Sequence, residues 1–478
     1  MRKHLIVIVF MFCAAIAANA QVPDTTNHYG AKKPDPENKF IADPKADVQQ
    51  AAPAESKEIE KTGFSFGPCP IVAFDQDKGF QYGALCNIYD FGKGGWYPNP
   101  RQQLYLEASL FAKNGNFANS QLFTINYDNR FLIPGVRFTF TAQLTNEKAL
   151  DFFGFNGYES YYDSSLPTAY YKYSRLVPYG KLDFSGHITE HLYWKAGYHF
   201  KYFKIESFTS DALADLPNQF TLFDWYKFYD VIPEGDETGG FTSSIRAGLM
   251  FDSRDVEASP SRGIWADANI EYAPTWMGTT NSYAKYYFCF RNYLPLASDK
   301  LVFAYRANVQ GFLGQAPFYV LSYDSYLGQT YDKDGFGGYR TIRGIMRNRI
   351  QGKSVFYYNT ELRWRFIDFR VGKQNIALAL SGFFDGGRVI ERYIPWHDND
   401  VFHNVFTQFK SKLPAQEGIM YTNQLASGSL EDSFHFAAGG GFRFIMNKNF
   451  IIAVEYGMPF NKQDNSKGSL YINTGFLF

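Results

Sequence analysis

One loop and the two segments that follow it carry the residue types of a buried ion-pair site. Gly337–Gly344 reads GGYRTIRG, and the next two apolar segments contain Glu361 and Asp385. A guanidinium removed from water needs charge-assisted hydrogen bonds, and carboxylates are its natural partners. Glycines beside an arginine let the backbone approach a wall closely. The pattern predicts a structural contact between an arginine of this loop and inward carboxylates, and we expect no catalytic, cofactor or metal site.

The segments that carry these carboxylates alternate apolar and polar residues, as strands with one apolar face do. In 353–366, Leu362 and Trp364 fall on one face, whereas Glu361 and Arg363 fall on the other. A Lys or Arg on the lipid face near the membrane midplane costs about 2–4 kcal/mol, so the arginine face is expected to line a lumen. The predicted inward residues include Arg363, Arg365, Ala377, Ala379, Ser381, Phe383, Asp385 and Arg443.

Strand-length alternation continues from Gly63 to Phe478 and predicts an all-β protein. The expected fold is a transmembrane antiparallel β-barrel of about 16 strands with a long inward-folded loop between strands eleven and twelve. Soluble β-sandwiches also alternate, but no linker divides the pattern into separate domains. The predicted strands lie near 63–76, 79–90, 102–113, 118–129, 134–145, 176–189, 192–205, 240–252, 262–274, 282–296, 300–312, 353–367, 374–389, 433–446, 449–457 and 469–478.

The residues before the barrel are expected to act in export rather than folding. Residues 1–20 begin with basic residues, continue with an apolar run and end on Ala18-Asn19-Ala20, which indicates a secretory signal peptide. Residues 21–62 are rich in Pro, Ala and charged residues and predict a flexible periplasmic tail. Residues 63–478 form the barrel domain. The expected location is the outer membrane of a Gram-negative bacterium.

Charge and cysteine content limit the possible partners. Lys+Arg and Asp+Glu balance at 47 each, so no strong field attracts nucleic acid. The expected partners are outer-membrane lipids and periplasmic or outer-membrane proteins. Cys69 and Cys86 lie on neighbouring predicted strands, and the sequence leaves open whether they pair in an oxidising compartment.

The motif Ile342-Arg343-Gly344 resembles the Val/Ile-Arg-Gly-Phe/Tyr loop signature of the BamA/TamA superfamily, also called the bacterial surface antigen family. These are sixteen-stranded outer-membrane assembly and translocation barrels. Three further stretches are similar to family motifs in the same order, namely 251–255 (FDSRD), 383–387 (FFDGG) and 439–443 (GGGFR). Two departures stand out. Ile345 replaces an aromatic residue, and residues 21–62 cannot form the periplasmic repeat domains of family insertases.

The resemblance implies a loop lock in which Arg343, followed by Gly344, pairs mainly with Asp385 and secondly with Glu361. It also implies that Phe476 and Phe478 belong to the terminal signal by which barrels are recognised for assembly. The implied function is insertion, assembly or translocation of proteins or lipids, including as a subunit of a larger complex, through a weak seam between the first and last strands. The alternative is a passive channel or scaffold. A hydrolase using His435 is more distant.

Overall fold

Sixteen strands form one closed antiparallel barrel, which confirms the predicted fold class. The computed structural model describes residues 62–75, 78–93, 100–113, 116–255, 259–324, 333–371, 374–395, 400–401, 404, 407–408, 432–446, 450–474 and 478. The strands are β1 (Phe64–Asp75), β2 (Gly79–Asp90), β3 (Gln102–Lys113), β4 (Asn116–Ile133), β5 (Val136–Asp151), β6 (Lys172–His187), β7 (Leu192–Ser207), β8 (Gly239–Asp252), β9 (Gly263–Ala273), β10 (Tyr283–Ser298), β11 (Leu301–Gly314), β12 (Ser354–Val371), β13 (Gln374–Glu391), β14 (His435–Met446), β15 (Phe450–Pro459) and β16 (Ser469–Thr474).

The inward and outward faces of β12 and β13 follow the alternation of the sequence. Glu361 and Asp385 are fully buried, whereas Trp364 and Leu380 are exposed on the outer wall. A β-bulge between Arg365 and Ile367 ends this parity on β12. Arg365, the last residue before the bulge, is in register with the buried Ala379 on the inward side, and it is half-buried and pairs with Asp368 at 3.0 Å. The extra residue of a bulge shifts the alternation by one position, and composition does not reveal it.

The two ends of the barrel differ in the length of their connections. At the end where β1 begins, called the turn end, β4–β5, β6–β7 and β10–β11 are joined by a few residues. At the opposite loop end, the strands are joined by the long segments 152–171, 208–238 and 315–353, and β5, β6, β7, β8 and β11 extend further into this end than predicted. Long loops are typically external in such barrels and short turns periplasmic. No helix within the described residues is long and apolar enough to cross a membrane.

Aromatic side chains from these loops pack over the loop end of the lumen. The loop 208–238 contains the helix α1 (Leu222–Phe228), which is stabilised by a capping box between Thr221 and Asp224. Rings from different loops meet edge to face, which favours a fixed arrangement. The cluster includes Phe152, Phe155, Tyr173, Phe223, Tyr226, Phe318 and Tyr319. The loop end is therefore covered by a packed layer.

The part of the seam between β1 and β16 that the structure describes contains two register pairs. In the described residues its register pairs are Phe74↔Ile472 and Asp75↔Tyr471, whereas β1 pairs with β2 over its whole length. Cys86 is a free thiol, so the bridge left open by the sequence is absent. The register places Cys86 opposite Pro68 rather than Cys69. Residues 1–61, which include the predicted signal peptide and nearly all of the tail, lie outside the described residues.

Candidate functional site

The loop 315–353 enters the lumen and is anchored there by its own apolar residues. Phe336, Ile342, Ile345 and Ile350 are fully buried with Val355 and Tyr357 of β12 and Val389 of β13. The hydroxyl of Thr341 donates to the carbonyls of Gly335 and Gly337, each at 3.0 Å. These contacts fix the backbone immediately before Arg343. Ile345, which stands where the family has an aromatic residue, is completely buried in this apolar cluster.

Arg343 binds both carboxylates that the sequence singled out. Its Nε and Nη2 donate to the two oxygens of Asp385 at 2.8 and 3.0 Å, and its backbone N–H donates to the same carboxylate at 3.1 Å. Its Nη1 donates to Glu361 at 2.8 Å. The guanidinium also lies 3.6 Å from the ring centroid of Phe383. The fork-to-fork geometry with Asp385 adds directional specificity to the charge attraction.

A third carboxylate, Glu455 of β15, completes the site. Arg343 Nη1 donates to Glu455 at 2.8 Å, and Arg443 of β14 contacts both Glu455 at 2.8 Å and Glu361 at 2.9 Å. Arg363 of β12 contacts Glu361 at 3.1 Å. We call these six residues the Arg343 network. Its three arginines and three carboxylates have formal charges that cancel, which is what a site shielded from water requires.

Glu455 was not identified from the sequence, although a signal existed. It alternates with the apolar residues of β15 and pairs in register with Gly441, beside Arg443. Its place in the alternation of β15 therefore predicts that the Glu455 side chain points into the lumen. The sequence does not show that Glu455 lies beside Arg343 in the folded barrel, because the two residues are 112 positions apart in the chain.

Gly344 lets the loop backbone touch the barrel wall. Its φ is +91°, and a Cβ there would meet the backbone of Gly457 at 2.8 Å and of Met458 at 2.9 Å. A Cβ on Gly457 would likewise lie 2.8 Å from the Gly344 nitrogen. The Gly344 N–H donates to the Tyr471 hydroxyl at 3.1 Å. The loop therefore contacts β15 and β16 directly.

Two more arginines of the loop reach other elements. Arg347 pairs with Glu147 of β5 at 2.6 Å. Arg349 donates to the carbonyls of Gly157, Ser160 and Gln463 at 2.9, 2.8 and 2.9 Å. These contacts were not predicted, because carbonyl acceptors in distant loops leave no mark in the sequence. They fasten the loop to the layer that covers the loop end.

Phe478 lies on the inner wall of the barrel. Its ring packs with Tyr293, Val302 and Ala304, and its terminal oxygen accepts a hydrogen bond from Arg363 at 2.7 Å. Arg363 also contacts Glu361, so the end of the chain adjoins the Arg343 network. Phe476, the other residue of the predicted assembly signal, lies outside the described residues.

His435 lies at the loop end in an acidic cluster. Its Nδ1 is 2.6 Å from Asp464 and its Nε2 is 3.2 Å from both oxygens of Asp432, so both nitrogens face carboxylates. Tyr158 stacks on the ring at 3.8 Å and donates to Asp464 at 2.6 Å. The letters Gly-x-Ser-x-Gly at 63–67 fall in β1, whereas a hydrolase needs them at a strand-to-helix turn.

Two carboxyl groups in loops have shifted pKa values of opposite sign. Burial alone would raise the pKa of Asp464, but the charge and hydrogen bond of His435 and the nearby Arg349 outweigh it and lower that pKa. Asp236 is desolvated in the loop 208–238, and burial raises its pKa to about 6. The described residues contain no group of three His, Cys, Asp or Glu side chains arranged to hold a metal ion.

The fold and the interior loop together define a membrane-spanning β-barrel whose lumen is filled by its own chain. The family model of the Omp85 superfamily domain matches residues 105–478. The chain belongs to the Omp85 superfamily and is an outer-membrane β-barrel, which confirms the resemblance drawn from the four motifs.

Solved structures with the same fold have distant sequences. BamA from Haemophilus ducreyi, in a crystal structure lacking POTRA domains 1–3, is 14% identical with a TM-score of 0.53, and the match covers 87% of this chain and 70% of that chain. CdiB from Escherichia coli is 10% identical with a TM-score of 0.52, covering 88% of this chain and 64% of that chain. At these identities the likeness shows the fold alone. A search of curated proteins found no match.

Proposed function

We propose that this barrel acts without enzymatic chemistry in the insertion, assembly or translocation of proteins or lipids at the outer membrane, through its β1–β16 seam. The observation that carries the proposal is a contrast within the described residues, where β1 pairs with β16 only at Phe74↔Ile472 and Asp75↔Tyr471 but with β2 from Phe64 to Asp75. A barrel normally has no edge, because each strand is paired on both sides. A short seam is the place where the wall opens at least cost.

The filled lumen argues against a passive channel. The loop 315–353 occupies it, and the Arg343 network joins that loop to β12–β15 by fully buried ion pairs. The aromatic layer covers the loop end. A substrate that crosses or enters the membrane here would therefore leave sideways through the seam. The Arg343 lock keeps the interior fixed while the seam moves, which gives Arg343, Gly344, Glu361 and Asp385 their role.

The setting is the outer membrane, and the proposed partners are its lipids together with periplasmic or outer-membrane proteins that deliver substrate. We infer a role as a subunit of a larger complex. A pull-down of the full chain from native membranes should recover such partners.

A disulfide across the seam tests the proposal. Phe74 and Ile472 are register partners, so F74C/I472C can form a bridge that holds the seam shut. In cells depleted of the native chain, the oxidised variant should fail to restore outer-membrane protein and lipid levels, and reduction should restore them. The matched control is I270C/Y286C, a register pair of β9 and β10 away from the seam.

Restoration of those levels by the oxidised seam variant would overturn the proposal. The same purified protein separates it from the channel alternative. In planar bilayers we expect no stable solute-sized conductance, and an open conductance that survives the seam disulfide would favour the channel.

A further inference from the structure

The turn that follows β15 separates its own charges. The Asp464 N–H donates to the Asn461 carbonyl at 3.1 Å, and the Gln463 N–H donates to the Asn461 side chain at 3.0 Å. Asparagine favours the first position of such a turn, because its side chain can accept from the backbone two residues further on. Asp464 is fully buried against His435, whereas Lys462 is exposed. The turn therefore directs its carboxylate into the barrel and its ammonium outward.

An aromatic groove lies between this turn and the loop end of β14. Its walls are the rings of Phe434 and Phe436, which stack at 5.5 Å with planes 6° apart, and of Phe460, which is 68% exposed. The Phe460 N–H donates to the Phe436 carbonyl at 2.9 Å, which fixes one wall against the other. Tyr158 and the exposed Lys462 also line the groove. The groove is therefore apolar between its rings and carries a cation in its lining.

The groove opens on the outer wall of the barrel. Phe384 of β13 stacks on Phe436 at 5.6 Å and meets Phe460 edge to face at 5.8 Å. Arg388 is four residues further on, on the same face of β13, and its guanidinium lies 5.6 Å from the Phe434 ring. An arginine on the outer wall is costly at the membrane midplane but not near the membrane surface, where aromatic rings are enriched. The groove is therefore placed at the membrane surface of the loop end.

Two lysines beside the groove carry charges that no described carboxylate balances. Lys462 and Lys467 are exposed, and neither forms an ion pair with a residue that the structure describes. The Tyr456 hydroxyl donates to the Lys467 carbonyl at 2.6 Å, which holds this lysine beside the outer face of β15. Other lysines at the surface have carboxylate partners, namely Lys204 with Glu206, Lys300 with Asp368 and Lys353 with Glu391. The surplus positive charge favours an anionic ligand, and lysine is a common phosphate binder.

We propose that this groove binds a membrane lipid whose headgroup carries a phosphate and a net negative charge. The acyl chain lies between the rings of Phe434 and Phe460, and the phosphate contacts Lys462 and Lys467. Because β14 and β15 are each paired on both sides, this wall offers a protein partner no free strand edge. A lipid needs only the apolar surface and the charge. The site lies outside the β1–β16 seam, so it goes beyond the proposed function and does not depend on it.

The test measures lipid binding by the purified full chain in detergent, read by native mass spectrometry. The probes are dioleoylphosphatidylglycerol, which is anionic, and dioleoylphosphatidylcholine, which has the same acyl chains and no net charge. The wild-type chain should bind the anionic lipid more tightly. Lys462→Gln with Lys467→Gln should weaken that binding by at least about fivefold, since one charge-assisted hydrogen bond shifts an equilibrium roughly tenfold. Lys462→Arg with Lys467→Arg keeps both charges and should retain binding.

Matched variants control for the loss of charge and of apolar surface. Lys204→Gln with Lys300→Gln removes two charges from side chains that are 53% and 54% exposed, and it should leave binding unchanged. Phe460→Ser should weaken the binding of both lipids, whereas Phe117→Ser, which removes a ring 77% exposed on β4, should not. Heat-dependent gel mobility checks that each barrel is folded.

Three results would overturn the inference. Equal affinity for the two lipids, or equal losses in the groove pair and in the control pair of lysine variants, would show nonspecific lipid contact only. Displacement of the lipid by glycerol phosphate, which lacks acyl chains, would assign the site to soluble phosphates. A dimer in the same spectra that Phe460→Ser abolishes, with lipid binding unchanged, would assign the groove to a second copy of the chain. The effect of F74C/I472C in cells is independent of these results, so the proposed function stands or falls separately.

Discussion

Removing the guanidinium of Arg343 should weaken the attachment of the loop 315–353 to the inner wall of the barrel. Arg343→Ala deletes hydrogen bonds to three carboxylates and leaves five members of the network with a net charge of −1. Arg443 still serves Glu361 and Glu455 at 2.9 and 2.8 Å. Asp385 loses most, because in the described part of the chain its side-chain partner is Arg343, and after the change only the backbone N–H of residue 343 still donates to it.

The size of the effect follows from that uncompensated carboxylate. Removing one partner of a buried ion pair costs about 3–5 kcal/mol, because the other charge stays away from water. Arg343→Lys keeps the charge but not the fork, so its loss should be about 1–3 kcal/mol from unmade hydrogen bonds. Arg343→Met with Asp385→Asn removes both charges and should cost less than the sum of the single changes.

The assay is urea unfolding of the barrel in lipid vesicles, read by tryptophan fluorescence, together with limited proteolysis of the loop. Arg262→Ala is the control, since Arg262 and Asp299 form a surface pair with side chains 61% and 55% exposed. Such pairs contribute about 0–1 kcal/mol. Equal losses for Arg343→Ala and Arg262→Ala, with the loop equally resistant to protease, would refute the lock.

Exchanging the charges of Arg343 and Asp385 distinguishes the Arg343 network from an isolated ion pair. If Arg343 served Asp385 alone, Arg343→Asp with Asp385→Arg would restore stability. In the network the carboxylate introduced at position 343 would face Glu361 and Glu455, whose present contacts to Arg343 are both 2.8 Å. The swap should therefore fail to rescue, and full recovery would show that Glu455 contributes little.

Three further outcomes are expected. Gly344→Ala should destabilise the loop in the same proteolysis assay, because its Cβ meets wall backbone at 2.8 Å, whereas Gly382→Ala, with open space around it, should not. Asp464 has a lowered pKa in the fold, so its stabilising effect is present above the unfolded pKa and is lost as pH falls through the folded pKa. Loop protection should drop in acid, and Asp464→Asn should remove that dependence. Asp236 behaves oppositely, since the fold holds its proton more tightly. The free energy of unfolding should fall as pH rises from 3.8 to about 6, and Asp236→Asn should flatten that slope in urea titrations.

Most strand positions could be predicted from the sequence, because the alternation of apolar and polar residues involves only residues that are close together in the chain. β2 and β3 have the predicted bounds 79–90 and 102–113. β5 runs on to Asp151, past the predicted end at 145, because a register shift between Glu147 and Leu150 breaks the alternation without ending the strand. Bulges and turns depend on neighbouring strands, which a single sequence does not display.

Only part of the Arg343 network could be predicted from the sequence, for a related reason. The loop motif and the alternation of the strands were enough to predict that Arg343, Glu361 and Asp385 lie together. The position of Glu455 and the contacts of Arg349 depend on how the barrel closes. The position of the Phe478 side chain could not be predicted from alternation, because alternation applies only where the strand continues. The described strand β16 ends at Thr474, and an arginine inside the lumen binds the terminal oxygen.

The two sides of the seam are held unequally, which indicates the side that moves. On β16, Tyr471 accepts a hydrogen bond from the loop at Gly344, and the chain end is bound by Arg363. On β15, Glu455 belongs to the Arg343 network. These strands are tied to the interior loop by charged and backbone contacts. β1 is tied to β2 along its length. We therefore expect the proposed opening to displace β1 with β2, while β16 stays with the loop.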